Sequence, residues 1–426
     1  MLSVLRNRDF ALLWWGGLVS MLGTWLLSVA LPVYIYQTTG STLATSLMFI
    51  AGAAPRVLLG TVAGVFVDRL ERKRTMVVCN ALLALTLTPL LFVERSGATW
   101  PIYLVAFVQS SVAQFFGPAE NALLPTLVGK DRLATANALN ALNNNLARLV
   151  GPAAGGLVMA AHGLSGAVLV NLASYLVAAV LIGLLAVSPG AAPERSQATT
   201  DSAVRRWVSE WREGIDHIRG DRLMLTLLAV MALTSFGEGT FSVLLAPFVG
   251  EAFGGGAQGL GWLLSAQAVG GIMGGLAIGW VGSRTSPLKL LGFGALFLGL
   301  IDLAIFNYPA LLPAIGPALV LMAVAGIPAS GFGAGYTTLV QTNVADALLG
   351  RVFGTVNTVS ALTLLAGMAA AGVLGDLVGV VPVINTQGVV YILAGLLVLV
   401  LWRPRRAADP NRGGTARERP PQGKAR

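Results

Sequence analysis

Apolar runs of about 20 residues recur along nearly the whole chain, and no other feature constrains its fold as tightly. A helix needs about 20 residues to cross the hydrocarbon core of a bilayer. Lipid offers no partners to free backbone N–H and C=O groups, so continuous runs of this length read as membrane helices. They fall at roughly 9–36, 41–67, 74–94, 100–126, 134–161 and 166–188. After a polar break they resume at roughly 223–250, 257–281, 287–308, 312–340, 351–378 and 383–402. The pattern predicts an all-α membrane protein with twelve transmembrane helices. Composition agrees: 11% of the 426 residues are charged and 55% are hydrophobic, against about 25% charged in soluble domains.

The formal charge of +9 does not point to nucleic acid, because the cations cluster in short connections and in the tail. With the N-terminus cytoplasmic, almost every Lys and Arg falls on one side, as the positive-inside rule expects. Arg95 is the loop exception, and Arg56 and Arg148 lie inside helices. Arg6 and Arg8 precede an apolar run too long for a signal-peptide core, so the first segment reads as a retained helix. A multi-pass protein of a bacterial plasma or inner membrane is expected, with both termini cytoplasmic. One cysteine, Cys79, excludes an intrachain disulfide and a cysteine metal cluster. The two histidines, His162 and His217, have no ligand-like neighbours. No metal and no cofactor are implied, and no G-x-x-x-x-G-K-[ST] segment points to ATP.

The halves repeat. Shifted by about 215 residues, Pro32 falls on Pro247, Gly60 on Gly275, Gly64 on Gly279 and Arg69 on Arg284. With one more residue inserted, Gly151 falls on Gly367 and Gly156 on Gly372. The expected organisation is an N-terminal six-helix bundle over 1–188, a cytoplasmic linker over 189–222, a C-terminal bundle over 223–403 and a disordered cytoplasmic tail over 404–426. In the linker, Val204, Trp207, Trp211, Ile215 and Ile218 recur at helical spacing among charges, as in an amphipathic helix lying on the interface.

Several motifs carry chemistry. The segment GVFVDRLERKR places Gly64, Asp68, Arg69, Arg72, Lys73 and Arg74 where the second apolar run ends. A carboxylate at that helix end can sit against the N–H groups that open another helix. The segment GPAAGG, with Gly151, Pro152, Gly155 and Gly156, presents a small-residue face. Gly271, Gly275 and Gly279 in the eighth run present another, and such faces let helices approach closely. A contact between the fifth and eighth helices is expected through Gly151, Gly155, Gly271 and Gly275. Asn137, Asn140, Asn144 and Arg148 continue the fifth helix as a polar stripe, which should face a wet cavity or another helix. Glu238, between Gly237 and Gly239, lies halfway along the seventh run. Asp302 lies in the ninth. Charges at such depth are costly and persist where they are paired, hydrated or useful.

The loop GVFVDRLERKR resembles the signature between helices 2 and 3 of the major facilitator superfamily. GPAAGG resembles a motif of that superfamily's exporters, although Ala147 stands where those often carry glycine. Together with LLPTLVGKDRLATANAL and LVQTNVADALLGRVFG, these segments make residues 9–402 resemble the twelve-helix drug-exporter branch, near the macrolide and enterobactin exporters. The resemblance implies two pseudo-symmetric six-helix bundles and alternating access. It implies a latch in which Asp68 meets the start of the eleventh helix near Arg351. It also implies export of amphipathic small molecules, with Glu238, Arg56, Arg148, Asn140 and Asn144 as candidates for the cavity or for proton coupling. The arginine-containing motif that many drug–proton antiporters carry in helix 4 is missing here. The expected partners are a small-molecule substrate, protons and the lipid bilayer, with the protein acting as a monomer. An uncoupled facilitator or lipid-moving relative is the alternative, which a lipid-facing Glu238 would favour. A receptor or scaffold on the same fold has no use for a latch. No paired nucleophile and base suggests an enzyme.

Overall fold

A computed structural model describes residues 2–67, 70–186 and 212–401. Asp68, Arg69, the first part of the expected interfacial helix (Val204, Trp207 and Trp211) and the tail lie outside these residues.

The first bundle contains α1 (Arg8–Thr39), α2 (Thr42–Val67), α3 (Arg72–Leu87) and α4 (Trp100–Val128). One continuous run, Leu133–Gly183, then spans 51 residues. At 1.5 Å per residue that is about 77 Å, more than twice a ~30 Å hydrocarbon core. Gly163 divides it. Its φ of 68° lies in the left-handed region, which residues with a Cβ enter only with strain. We therefore count α5 over 133–162 and α6 over 164–183. The break exposes the first N–H groups of α6. Glu94 satisfies them, accepting from Leu164 N at 2.8 Å, from Ser165 N at 3.2 Å and from the Ser165 hydroxyl.

The second bundle contains α7 (Arg222–Phe253), α8 (Gly256–Val281), α9 (Pro287–Asn307), α10 (Ile315–Asn343), α11 (Asp346–Val378) and α12 (Val380–Leu401). A short helix over 212–220 precedes α7. Local chemistry sets the ends. The Asn7 side chain caps α1 by accepting from Asp9 N and Phe10 N, and Gly40 at φ 63° closes it. Pro89, which has no N–H, carries α3 out of its regular ladder into a 3-10 turn over Thr88–Phe92.

Odd-numbered helices start, and even-numbered helices end, on the face that holds the described chain ends, called here the terminal face. The opposite face is the distal one. Each bundle has its own apolar clusters. One further cluster joins the halves, packing Val29 and Val33 of α1 with Phe241 and Phe248 of α7 and Phe306 of α9.

Candidate functional site

The halves meet chiefly through α5 against α8 and α2 against α11. Both contacts lie toward the distal face, and they are pseudo-symmetric copies. Gly156 packs on α8: an added Cβ would meet Ala257 O at 2.5 Å and Gln258 Cα at 2.7 Å. Its repeat-mate Gly372 packs on α2, where an added Cβ would meet Ser46 Cβ at 2.5 Å and Leu43 Cα at 3.2 Å. Likewise Gly261 of α8 lies against the Pro152 carbonyl. Its mate Ser46 donates to Met368 O, one repeat on from Pro152, at 2.7 Å.

The copies differ in one respect. At the α2–α11 contact, Asp376 of α11 caps the start of α2. Its Oδ1 accepts from Thr42 N at 2.6 Å and from Thr42 Oγ1 at 2.8 Å. Its Oδ2 accepts from Ser41 Oγ at 2.7 Å and from Leu43 N at 3.3 Å. At the α5–α8 contact the matching position is Ala160. Tyr36 at the end of α1 adds a distal link, donating to Glu251 of α7 at 2.5 Å. Sequence reasoning missed this ring, because it joins residues far apart in the chain, Tyr36 with Glu251 and Ser41–Leu43 with Asp376.

Toward the terminal face the halves part. Asn137, Asn144 and Arg148 on α5 are exposed, and a Cβ at Gly275, Gly279, Gly350 or Gly354 would meet nothing within 4 Å. A cavity of about 230 Å³ lies between the halves at the deep end of this opening. Trp25, Arg148, Glu238, Phe241, Ser242 and Gln267 are among the residues lining it.

Glu238 reaches the cavity because its neighbours are glycines. Gly237 lets α7 lie 3.2 Å, at the Cβ position, from Gln387 Cα of α12. Gly239 lets α7 press on the Leu364 carbonyl and on Met368 N of α11. With those two faces packed, the Glu238 side chain projects to the remaining one, where it is exposed within electrostatic reach of Arg148. Arg148 Nη2 donates to Gln267 Oε1 of α8 at 3.2 Å, joining the halves across the cavity floor. Glu238 is therefore not lipid-facing.

Other expected positions separate. Asn140 donates to Glu120 of α4 at 3.4 Å, Asn144 is exposed, and Arg56 is exposed on α2 outside this cavity lining. The buried asparagine of α5 is Asn143, which donates to Trp14 O of α1 at 2.9 Å. Gly151 and Gly155, expected against α8, pack instead on α1, at Trp25 and Leu26. Gly271 and Gly275 do not touch α5 either. Their neighbours Gly270 and Gly274 press on Ala323 and Ile327 of α10. The reason is angular: one residue is about 100° around a helix, so adjacent glycines serve different neighbours.

In the gating motif, Gly64 belongs to α2. Arg72 donates to Ala122 O of α4 and Lys73 to Leu185 O beyond α6, both at 2.8 Å. These cations bind backbone carbonyls inside the first bundle. Arg351 pairs with Glu213 of the 212–220 helix at 2.5 Å, where Gly214 packs on the Arg351 carbonyl.

Two pseudo-symmetric six-helix bundles around a central cavity closed at one face define a secondary-transporter fold. A family model described as "Transmembrane secretion effector" matches residues 1–417, and the chain belongs to this family of the major facilitator superfamily. It is 27% identical over 409 residues to the multidrug efflux pump Tap of Mycolicibacterium fortuitum, covering 94% of this chain and 97% of that one. It is 24% identical over 375 residues to macrolide efflux protein A of Streptococcus pyogenes, covering 87% and 90%. Among solved structures it resembles a bacterial homologue of the iron transporter ferroportin in its inward-facing state, with a TM-score of 0.71, 17% identity and coverage of 93% and 98%. Against the outward-facing state the TM-score is 0.57, with 16% identity and coverage of 92% and 98%. The chain is a multi-pass membrane transporter with drug-efflux homologues, and it is not an enzyme.

Proposed function

We propose that the protein exports amphipathic small molecules from the cytoplasm by alternating access, driven by protons that enter the opposite way. One observation carries this reading: Glu238, an acid at mid-helix depth, faces a cavity that both halves line, opposite Arg148. An acid that can take up a proton, beside a cation and in a space open to substrate, lets one site serve both fluxes. Binding of a cationic substrate and binding of a proton then oppose each other, and that opposition couples the gradients. The distribution of Lys and Arg supports a cytoplasmic terminal face. On that orientation the structure described here is the inward-open state, ready to load from the cytoplasm. The drug-efflux relatives support the direction and the amphipathic class of substrate. Asp68, which lies outside the described residues, is the proposed latch of the opposite state. There it would engage the start of α11 once Arg351 is released from Glu213.

The test is gradient-driven uptake of ethidium and a macrolide into inverted vesicles. Wild-type protein should accumulate substrate when the interior is acid. Glu238→Gln should lose that accumulation while keeping exchange of substrate at equilibrium. Undiminished uptake by the variant would remove Glu238 from the coupling step.

A further inference from the structure

Behind Glu238 lies a second acid that the reading above leaves unused. Asp302 on α9 is 2% exposed, and its Oδ2 has no hydrogen-bond partner. Among the described residues no Lys, Arg or His forms an ion pair with it. The titratable groups within electrostatic reach are Glu238 of α7 and Tyr391 of α12. From α10, also packed on α9, the one titratable residue is Tyr336, which sits against Phe353 toward the terminal face.

Helix packing places these groups at one junction. A Cβ at Gly388 of α12 would meet Leu303 Cγ at 2.7 Å and Gly299 O at 2.8 Å, so α9 and α12 are in backbone contact beside Asp302. Gly237 brings α7 onto Gln387 at the same level. Gln387 is itself buried, and its Oε1 also lacks a donor. The junction thus holds two buried acceptor oxygens, neither of which receives a hydrogen bond. An ionised, unpaired carboxylate is strongly disfavoured in such surroundings. A proton on Asp302 removes the charge and turns one of these acceptor oxygens into an O–H donor.

We propose that Asp302 is a second proton-binding site, loaded from the cavity by way of Glu238. The step balances simply. The O–H bond of the Glu238 acid breaks, an O–H bond forms on Asp302, and the negative charge moves to Glu238, beside Arg148 and open to a cationic substrate. Glu238 lines the cavity and Asp302 does not, which fixes their order. The inference rests on the coupling role of Glu238 proposed above.

The experiment is infrared difference spectroscopy of the full-length protein in nanodiscs, following the carbonyl stretch of protonated carboxylic acids through H/D exchange at neutral pH. Asp302→Asn should delete a protonated-acid band that Glu238→Gln retains, and Asp302→Glu should shift that band without removing it, which serves if the Asn variant does not fold. A full set of bands in Asp302→Asn would overturn the proposal, as would a band deleted by Glu238→Gln alone. The latter result would leave the Glu238 reading intact. Conversely, a Glu238→Gln protein that still accumulates substrate would remove that reading without altering the infrared assignment of Asp302. Binding of radioactive sodium by the wild type that Asp302→Asn abolishes would also overturn it, by making the occupant a metal cation.

Discussion

Neutralising Asp376 should open the distal face. In the structure its carboxylate accepts four hydrogen bonds from Ser41 and the first two residues of α2: two from backbone N–H groups and two from hydroxyls. These contacts exist only while α2 and α11 touch. Asp376→Asn keeps the shape but loses the charge, and it turns an amide NH₂ toward groups that are themselves donors. A carboxylate at an exposed helix N-terminus contributes about 0.3–1 kcal/mol, rising to about 2 when partly buried. Asp376 is exposed, so the charge term belongs at the low end. Mispaired donors bring the total to about 1–2 kcal/mol, or roughly a 5- to 30-fold shift in the equilibrium toward distal opening. Double electron–electron resonance reads this directly, with labels at Thr39→Cys and Val378→Cys in a Cys79→Ser background. The ratio of long- to short-distance populations should rise by that factor in Asp376→Asn. Unchanged populations would show that the cap is decorative and that glycine packing alone closes the face.

Two further outcomes follow from the packing. Gly156→Leu and Gly372→Leu should each block distal closure, since added atoms would overlap Ala257 or Ser46. Labelling of a Ser28→Cys reporter from the distal side should then increase, and unchanged labelling would refute the pseudo-symmetric gate. At the other face, Glu213→Ala should barely move the melting temperature, because an exposed ion pair contributes about 0.2–1 kcal/mol. Gly214→Leu, whose Cβ would meet Arg351 O at 2.8 Å, should lift the 212–220 helix and speed tryptic cleavage at Arg212 and Arg219. Wild-type cleavage kinetics would contradict that docking.

The twelve helices and the repeat can be read from the sequence because lipid makes their signal simple: length, apolarity and glycine register. Glu238 is a cavity candidate through the resemblance; that Gly237 and Gly239 pack two faces of α7 and leave one direction for its side chain is seen only in the structure. What glycine spacing does not announce is the neighbour. Gly151 and Gly155 signal close approach equally well to α1 or to α8, and the partner is chosen by the whole bundle. The α5–α8 contact was expected, with Pro152 and Gly156 among its residues, but on α8 they meet Ala257, Gln258 and Gly261 rather than Gly271 and Gly275. Asp376 and the unpartnered oxygens of Asp302 and Gln387 depend on contacts between residues far apart in the chain, which periodicity does not encode.

The central claim is that one cavity exchanges protons for substrate through Glu238. The most direct measurement is proton flux in proteoliposomes containing pyranine, with no imposed pH gradient, driven only by a gradient of ethidium. The account predicts that ethidium leaving the lumen through wild-type protein brings protons in, acidifying the interior. It also predicts that Glu238→Gln carries ethidium without any pyranine response. Ethidium movement with no proton flux in the wild type, or an undiminished proton flux in Glu238→Gln, would contradict it.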